Sequence, residues 1–148
     1  MIQIAYFSTA TTRQSAEVLH DILTGSRRRN GRDDITGLLV AGGNRYMQVI
    51  EGPEREMEAL WTAIRADQRH CAVARLLKRP AETRSFERWN MAFRREERLS
   101  DFDSFPQTLK FLTRQVDDEA LRRQIELFAR SFIITPSNDD LTPWGLAL

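Results

Sequence analysis

Thr36-Gly37-Leu38-Leu39-Val40-Ala41-Gly42-Gly43-Asn44-Arg45-Tyr46-Met47-Gln48-Val49-Ile50-Glu51-Gly52-Pro53 is the stretch whose reading decides the fold. Two short runs rich in Leu, Val, Ile and Tyr, Thr36 to Ala41 and Arg45 to Glu51, flank Gly42-Gly43-Asn44, which accept the positive φ of a tight turn. The pattern predicts a hairpin. In its second arm Tyr46, Gln48 and Ile50 share one side while Met47 and Val49 share the other, since side chains alternate along a strand. A buried glutamine must satisfy an amide donor pair and a carbonyl acceptor, so Gln48 requires polar company. Gly52-Pro53 then opens a helix, because proline suits the first helical position. Met57, Leu60, Trp61 and Ile64 give that helix an apolar stripe.

Outward from this hairpin, Met1 to Ser8 alternates Ile2, Ile4, Tyr6 and Ser8 against Gln3, Ala5 and Phe7, a strand with two usable faces. A helix is predicted from about Ser15 to Arg29, striped by Val18, Leu19, Ile22 and Leu23, with Arg27, Arg28 and Arg29 at the negative end of its dipole. Downstream, Val73 to Leu77 and Trp89 to Phe93 are two further strands, separated by a polar connection through Pro80. The order β-α-β-β-α-β-β predicts two helices on one face of a mixed sheet, a ferredoxin-like sandwich of the α+β class. Past Leu99 a short helix over Pro106 to Gln115 and a stronger one over Asp117 to Phe132 are expected. Leu121, Ile125, Phe128 and Phe132 fall on one face of the latter. That face is expected to cover the sheet side carrying Ala5, Phe7, Met47 and Val49. Thr135 to Leu148 is read as a loosely held tail.

Composition narrows the function classes. The chain has 148 residues, 22 Lys and Arg against 21 Asp and Glu, and a net charge of +1. Such balance argues against a dedicated nucleic-acid or anionic-membrane binder. No apolar run approaches the ~18 residues that span a bilayer, so no membrane partner and a cytoplasmic location are expected. The single cysteine, Cys71, excludes an intramolecular disulfide and any metal site built on paired thiolates. Neither a nucleophile–base pair nor a Walker loop is visible, and no enzyme activity is expected.

Three separated motifs carry the chemistry: Tyr6-Phe7-Ser8, Asn30-Gly31-Arg32-Asp33-Asp34-Ile35-Thr36-Gly37, and Tyr46-Met47-Gln48-Val49-Ile50-Glu51-Gly52-Pro53. Together they resemble the BLUF domain, a family of blue-light sensors that hold a flavin non-covalently. Asp67-Gln68-Arg69-His70 and Phe86-Glu87-Arg88-Trp89-Asn90-Met91 extend the resemblance over roughly the first 95 residues. It implies a relay in which Tyr6 hydrogen-bonds Gln48 and Gln48 contacts the flavin, while Asn30 holds the ring's carbonyl end. Ile22 and Ile64 would sandwich the ring, and Asp67, Arg69 and His70 would lie towards the ribityl and phosphate end. Trp89 and Met91 would sit on the output strand. The implied cofactor is FAD, with FMN or riboflavin as alternatives. A downstream signalling protein and a homo-oligomer are the expected partners. The expected division is a photosensor over 1–95, a helical cap over 96–134 and a flexible tail over 135–148.

Three positions depart from the family pattern. Asp34 replaces the usual glycine; if φ is positive there, Asp is among the few residues that tolerate it, at ~1–2 kcal/mol. Arg29 replaces the usual asparagine or histidine, and Asn90 the usual serine. Two rival readings use the same sandwich. An RNA-binding module of the RRM type needs aromatics in an RNP1-like pattern, which Tyr46-Met47-Gln48-Val49-Ile50 lacks. An acylphosphatase-like enzyme needs a phosphate-cradling loop, and Thr9-Ala10-Thr11-Thr12-Arg13 contains no glycine to form one.

Overall fold

The computed structural model describes residues 1–11, 16–42, 44–86, 113–114, 116–133 and 146–147, with side chains for 1–11, 24–40, 44–86, 113–114 and 116–128. Strand β1 (Ile2–Ala10) leads into helix α1 (Ala16–Arg32), and the hairpin follows as β2 (Thr36–Gly42) and β3 (Arg45–Gly52). Helix α2 (Glu54–Ala66) connects to the long strand β4 (His70–Pro80), and α3 (Glu119–Ile133) follows later. A two-residue strand, β5 (Leu146–Ala147), pairs with Val40 and Leu39 of β2.

The sheet order is β4-β1-β3-β2-β5. The expected strand Trp89 to Phe93 lies outside the description, and every pairing among the described strands is antiparallel. The reason is topological. The hairpin turns β3 back into the gap between β1 and β2, so those two strands run parallel without touching. Register follows directly: Tyr6 faces Gln48, Ile4 faces Ile50 and Gln3 faces Glu51. Gly37 lies on β2 opposite Ile50 of β3. A Cβ there would overlap the Val49 carbonyl oxygen and lie 3.0 Å from Ile50 Cα.

Local chemistry explains the helix ends. Pro53 is the cap before α2, not its first helical residue, and its carbonyl accepts the Met57 N–H at 3.0 Å. All four residues of the predicted stripe, Met57, Leu60, Trp61 and Ile64, are buried. Helix α1 runs three residues beyond its predicted end and stops at a turn in which Asp34 has φ 52°. The positive φ anticipated for this glycine-like position is therefore present. Pro80 ends β4 and is not part of a connection. At α3, Asp118 accepts the Leu121 N–H at 2.9 Å, capping the orphan donors of the first turn.

Two cores form on opposite sheet faces. Ile2, Ile4, Tyr6, Ile35 and Ile50 pack under α2. Ala5, Leu38, Val40, Met47 and Val49 pack under Leu121, Ile125 and Phe128 of α3. The Phe128 ring stacks on Phe7 at 5.1 Å between centroids. This is the covering predicted from the apolar stripe of the last helix. The expected strand Trp89 to Phe93, the remainder of the expected short helix beyond Thr113 and Arg114, and the Phe132 side chain lie outside the description.

Candidate functional site

The residues singled out in sequence converge on one cavity of about 520 Å³ between the sheet, α1 and α2. That volume falls within the ~300–1,000 Å³ typical of small-molecule sites. Tyr6 and Gln48 come from adjacent strands, Asn30 from the last turns of α1, and Ile64 from α2. Asp67, Arg69 and His70 also line it. The helix stops at Ala66, Asp67 caps it, and His70 is already the first residue of β4. The Ile22 side chain and all of Trp89 and Met91 lie outside the described residues.

Tyr6 is 4% exposed and its hydroxyl donates to Gln48 Oε1. Their register on β1 and β3 makes this contact direct, with both side chains on the same sheet face. The Gln48 carbonyl is thus committed to Tyr6, while its NH₂ makes no hydrogen bond to a described residue. Trp61 meets the Tyr6 ring edge-on at 5.4 Å and 66°, which fixes the phenol from the α2 side. Burial, with a smaller contribution from the charge of Asp67, pushes the Tyr6 hydroxyl far above its ordinary range. Tyr6 is a neutral donor at any working pH.

The far wall is charged. Arg69 grips Asp67 through a forked ion pair, and that hydrogen bonding holds the Asp67 carboxyl down at about 2. Burial lowers the His70 pKa, opposed by Asp67, so its imidazole is neutral at pH 7. Arg32 pairs with Asp33. Ala59, Ala63 and Ala66 face the cavity from α2, and their short side chains leave the space open. Two register partners just beyond the Tyr6–Gln48 pair, Ser8 and Tyr46, carry buried hydroxyls with no partner among the described residues. Buried polar atoms are rarely left so, and a polar ligand or water beside them would satisfy both. A planar, hydrogen-bonding heterocycle with an anionic tail fits this set of apolar walls, amides and arginines.

Sequence reasoning missed Ser26, Asp33 and Glu56 as cavity residues. Helical spacing could have found Ser26, which lies one turn before Asn30. It also treated Trp61 as packing alone, because nothing local ties an α2 aromatic to a β1 tyrosine.

The comparisons with known proteins agree with this geometry. The family model described as BLUF, sensors of blue-light using FAD, matches residues 1–92. This chain belongs to the BLUF family. Flavin is the cofactor of BLUF domains. The chain is 30% identical over 138 residues to the blue light- and temperature-regulated antirepressor BluF of Escherichia coli (strain K12), covering 88% of this chain and 32% of that protein. It is 31% identical over 112 residues to the photoactivated adenylate cyclase subunit beta of Euglena longa, covering 75% of this chain and 13% of that protein. These BLUF relatives are thus much longer than the part that matches. Among solved structures, the dark state of the BLUF protein BlrB superimposes with a TM-score of 0.63 at 26% identity, covering 88% of this chain and 96% of that one.

Proposed function

We propose that this chain is a blue-light sensor whose cavity holds a flavin nucleotide and whose switching element is the Tyr6–Gln48 hydrogen bond. The observation that carries the reading is the Tyr6 hydroxyl donating to Gln48 Oε1 at the base of that cavity. Bound flavin supplies an absorber of blue light that becomes a strong oxidant when excited. The rest belongs to the protein. The raised pKa keeps the Tyr6 phenol neutral, so its proton would leave only once its electron has passed to the excited flavin, and Gln48 Oε1, which accepts the Tyr6 O–H, would be the first proton acceptor. Gln48 receives the change because a primary amide both donates and accepts. Turning it over, or shifting its tautomer, exchanges the group facing Tyr6 for the group facing the cavity.

The remaining residues bind and orient. Asn30, 7% exposed at the cavity wall, holds the ring's carbonyl edge. Ile64 flanks the ring on the α2 side, and we assign Ile22 to the opposite side. Asp67, Arg69 and His70 lie towards the ribityl and phosphate end. FAD is the proposed form, with FMN or riboflavin as substitutes. Trp89 and Met91 are proposed as output residues. The proposed division is a sensor over 1–95, a helical cap over 96–134 and a tail over 135–148.

The chain itself is proposed as non-catalytic, signalling by contact with a downstream protein as a cytoplasmic homo-oligomer. No helix among the described residues is long and apolar enough to cross a membrane. Absorption spectra of the purified protein before and after blue light test the reading. The flavin band is expected to move slightly to the red and to return in the dark, since only hydrogen bonding changes. A bleached band, or a colourless protein that takes up no flavin, overturns it.

A further inference from the structure

The α1–β2 turn departs from the family pattern in sequence, and its geometry shows what the departure requires. Helix α1 ends in a closure of the Schellman type, in which Ile35 N–H donates to the Asn30 carbonyl at 2.9 Å. In that motif the residue just past the cap adopts a left-handed backbone, and glycine normally fills it. Here the residue is Asp34, at φ 52°. The closing bond ends on Asn30 itself, so the turn directly sets the backbone of a cavity residue.

Something must hold the turn in place of the missing glycine. Arg84 reaches back across 50 residues: Nη2 donates to the Asp34 carbonyl and to Asp34 Oδ2, both at 2.8 Å, and Nη1 donates to Thr36 Oγ1 at 3.0 Å. The carboxylate arm matters least. Asp34's side chain is 70% exposed, and exposed pairs contribute little. The carbonyl and Thr36 arms carry the weight, because the Arg84 side chain is only 17% exposed.

Arg84 is in turn anchored. Glu51, fully buried on β3, accepts the N–H groups of Ser85 at 3.1 Å and Phe86 at 2.6 Å. It also accepts from Gln3 Nε2 at 3.1 Å and Thr36 Oγ1 at 3.2 Å. The segment bearing Arg84 is therefore bolted to the sheet beside the turn it grips. The turn has little slack on its other side, where a Cβ at Gly52 would come within 2.9 Å of the Asp34 carbonyl oxygen.

We infer that Arg84 is a positioning residue for the cofactor cavity: by clamping left-handed Asp34 it closes the turn that orients Asn30. The inference rests on the flavin reading above and assigns a function to a residue outside the cavity. Once the clamp is lost, the turn opens and ligand binding must close it again, so affinity falls.

The test is titration of the flavin-free full-length protein with FMN and with FAD, followed by flavin fluorescence, with circular dichroism confirming the fold. Arg84→Gln is expected to weaken binding about tenfold and to move the bound flavin's dark absorption maximum. Adding Asp34→Gly is expected to restore most of the affinity and the wild-type maximum, because glycine takes a positive φ without a clamp. A purely structural Arg84 would show no such rescue. If Arg84→Gln does not fold, Arg84→Lys keeps the charge, loses the fork and should show the same rescuable loss. Unchanged affinity in the folded Arg84 variant, or a loss that Asp34→Gly does not repair, overturns the inference. No flavin uptake by the wild-type protein instead overturns the reading on which it rests.

Discussion

Replacing Tyr6 by Phe removes one hydroxyl and nothing else, which makes it the sharpest probe of the proposed switch. The ring is 4% exposed and wedged edge-on against Trp61 at 5.4 Å, so phenylalanine fills the same space without opening a cavity. The hydrogen bond to Gln48 is lost, and Gln48 Oε1 is left without its donor. A neutral hydrogen bond contributes ~0.5–1.5 kcal/mol net, and an orphaned buried acceptor raises the cost towards the upper end. Gln48 is only half-buried and borders the cavity, so water can reach it and keep the penalty low. The expected loss is about 1–1.5 kcal/mol. For a chain of this size that lowers Tm by about 2–6 °C. Flavin should still bind, since the walls built by Ile64, Asn30 and the α2 alanines are untouched. The light response should vanish, because no phenolic proton or electron is available. Dark and illuminated absorption spectra of the flavin-loaded variant decide the matter. A full, reversible red shift in Tyr6→Phe would refute the assignment of the switch to this pair.

Asn30→Ala should release flavin more readily than Tyr6→Phe, by about tenfold or more, because it removes a direct polar contact of ~1–3 kcal/mol; retention equal to wild type in equilibrium dialysis would exclude that contact. Stability should fall on acidification in two windows. Half-buried His70 titrates below the ordinary 6.5, so the unfolded chain takes up its proton first and stability is lost as pH drops from about 7 through that value. Asp67, at about 2 instead of 3.8, contributes stability that is present above roughly pH 4 and lost between there and 2. Urea midpoints across pH should show both slopes, and His70→Gln should flatten the upper one alone. Gly37→Ala should destabilise by about 1–3 kcal/mol or more, since its methyl meets the Val49 backbone and not a movable side chain. A Tm within 1 °C of wild type would mean that β2 and β3 can separate there at little cost.

How much of this was legible beforehand depended on whether the signal was local. The hairpin, the stripe of α2 and the apolar face of α3 are periodic patterns over a few residues, and each appears where its spacing put it. The Tyr6–Gln48–Asn30 set was legible only through family resemblance, because three single residues on three elements carry no periodicity. Within the turn, Asp34's tolerance of positive φ is a property of its own side chain, and it could be anticipated as soon as the motif was recognised.

Other features belong to tertiary structure alone. The order and directions of the described strands depend on which strand fills the gap between β1 and β2, and no local pattern encodes that insertion. Strand β4 begins at His70, three residues before its first strongly apolar residue, because pairing with Ala10 of β1 extends it. Trp61 against Tyr6, the buried Glu51 and the reach of Arg84 to Asp34 join residues 15 to 55 positions apart. In the sequence these are an apolar stripe member, a charged strand end and a loop arginine. Their roles arise when β3 slides beside β1 and the segment after β4 returns to the α1 turn, because hydrogen bonds act across ~3 Å of space whatever the distance along the chain.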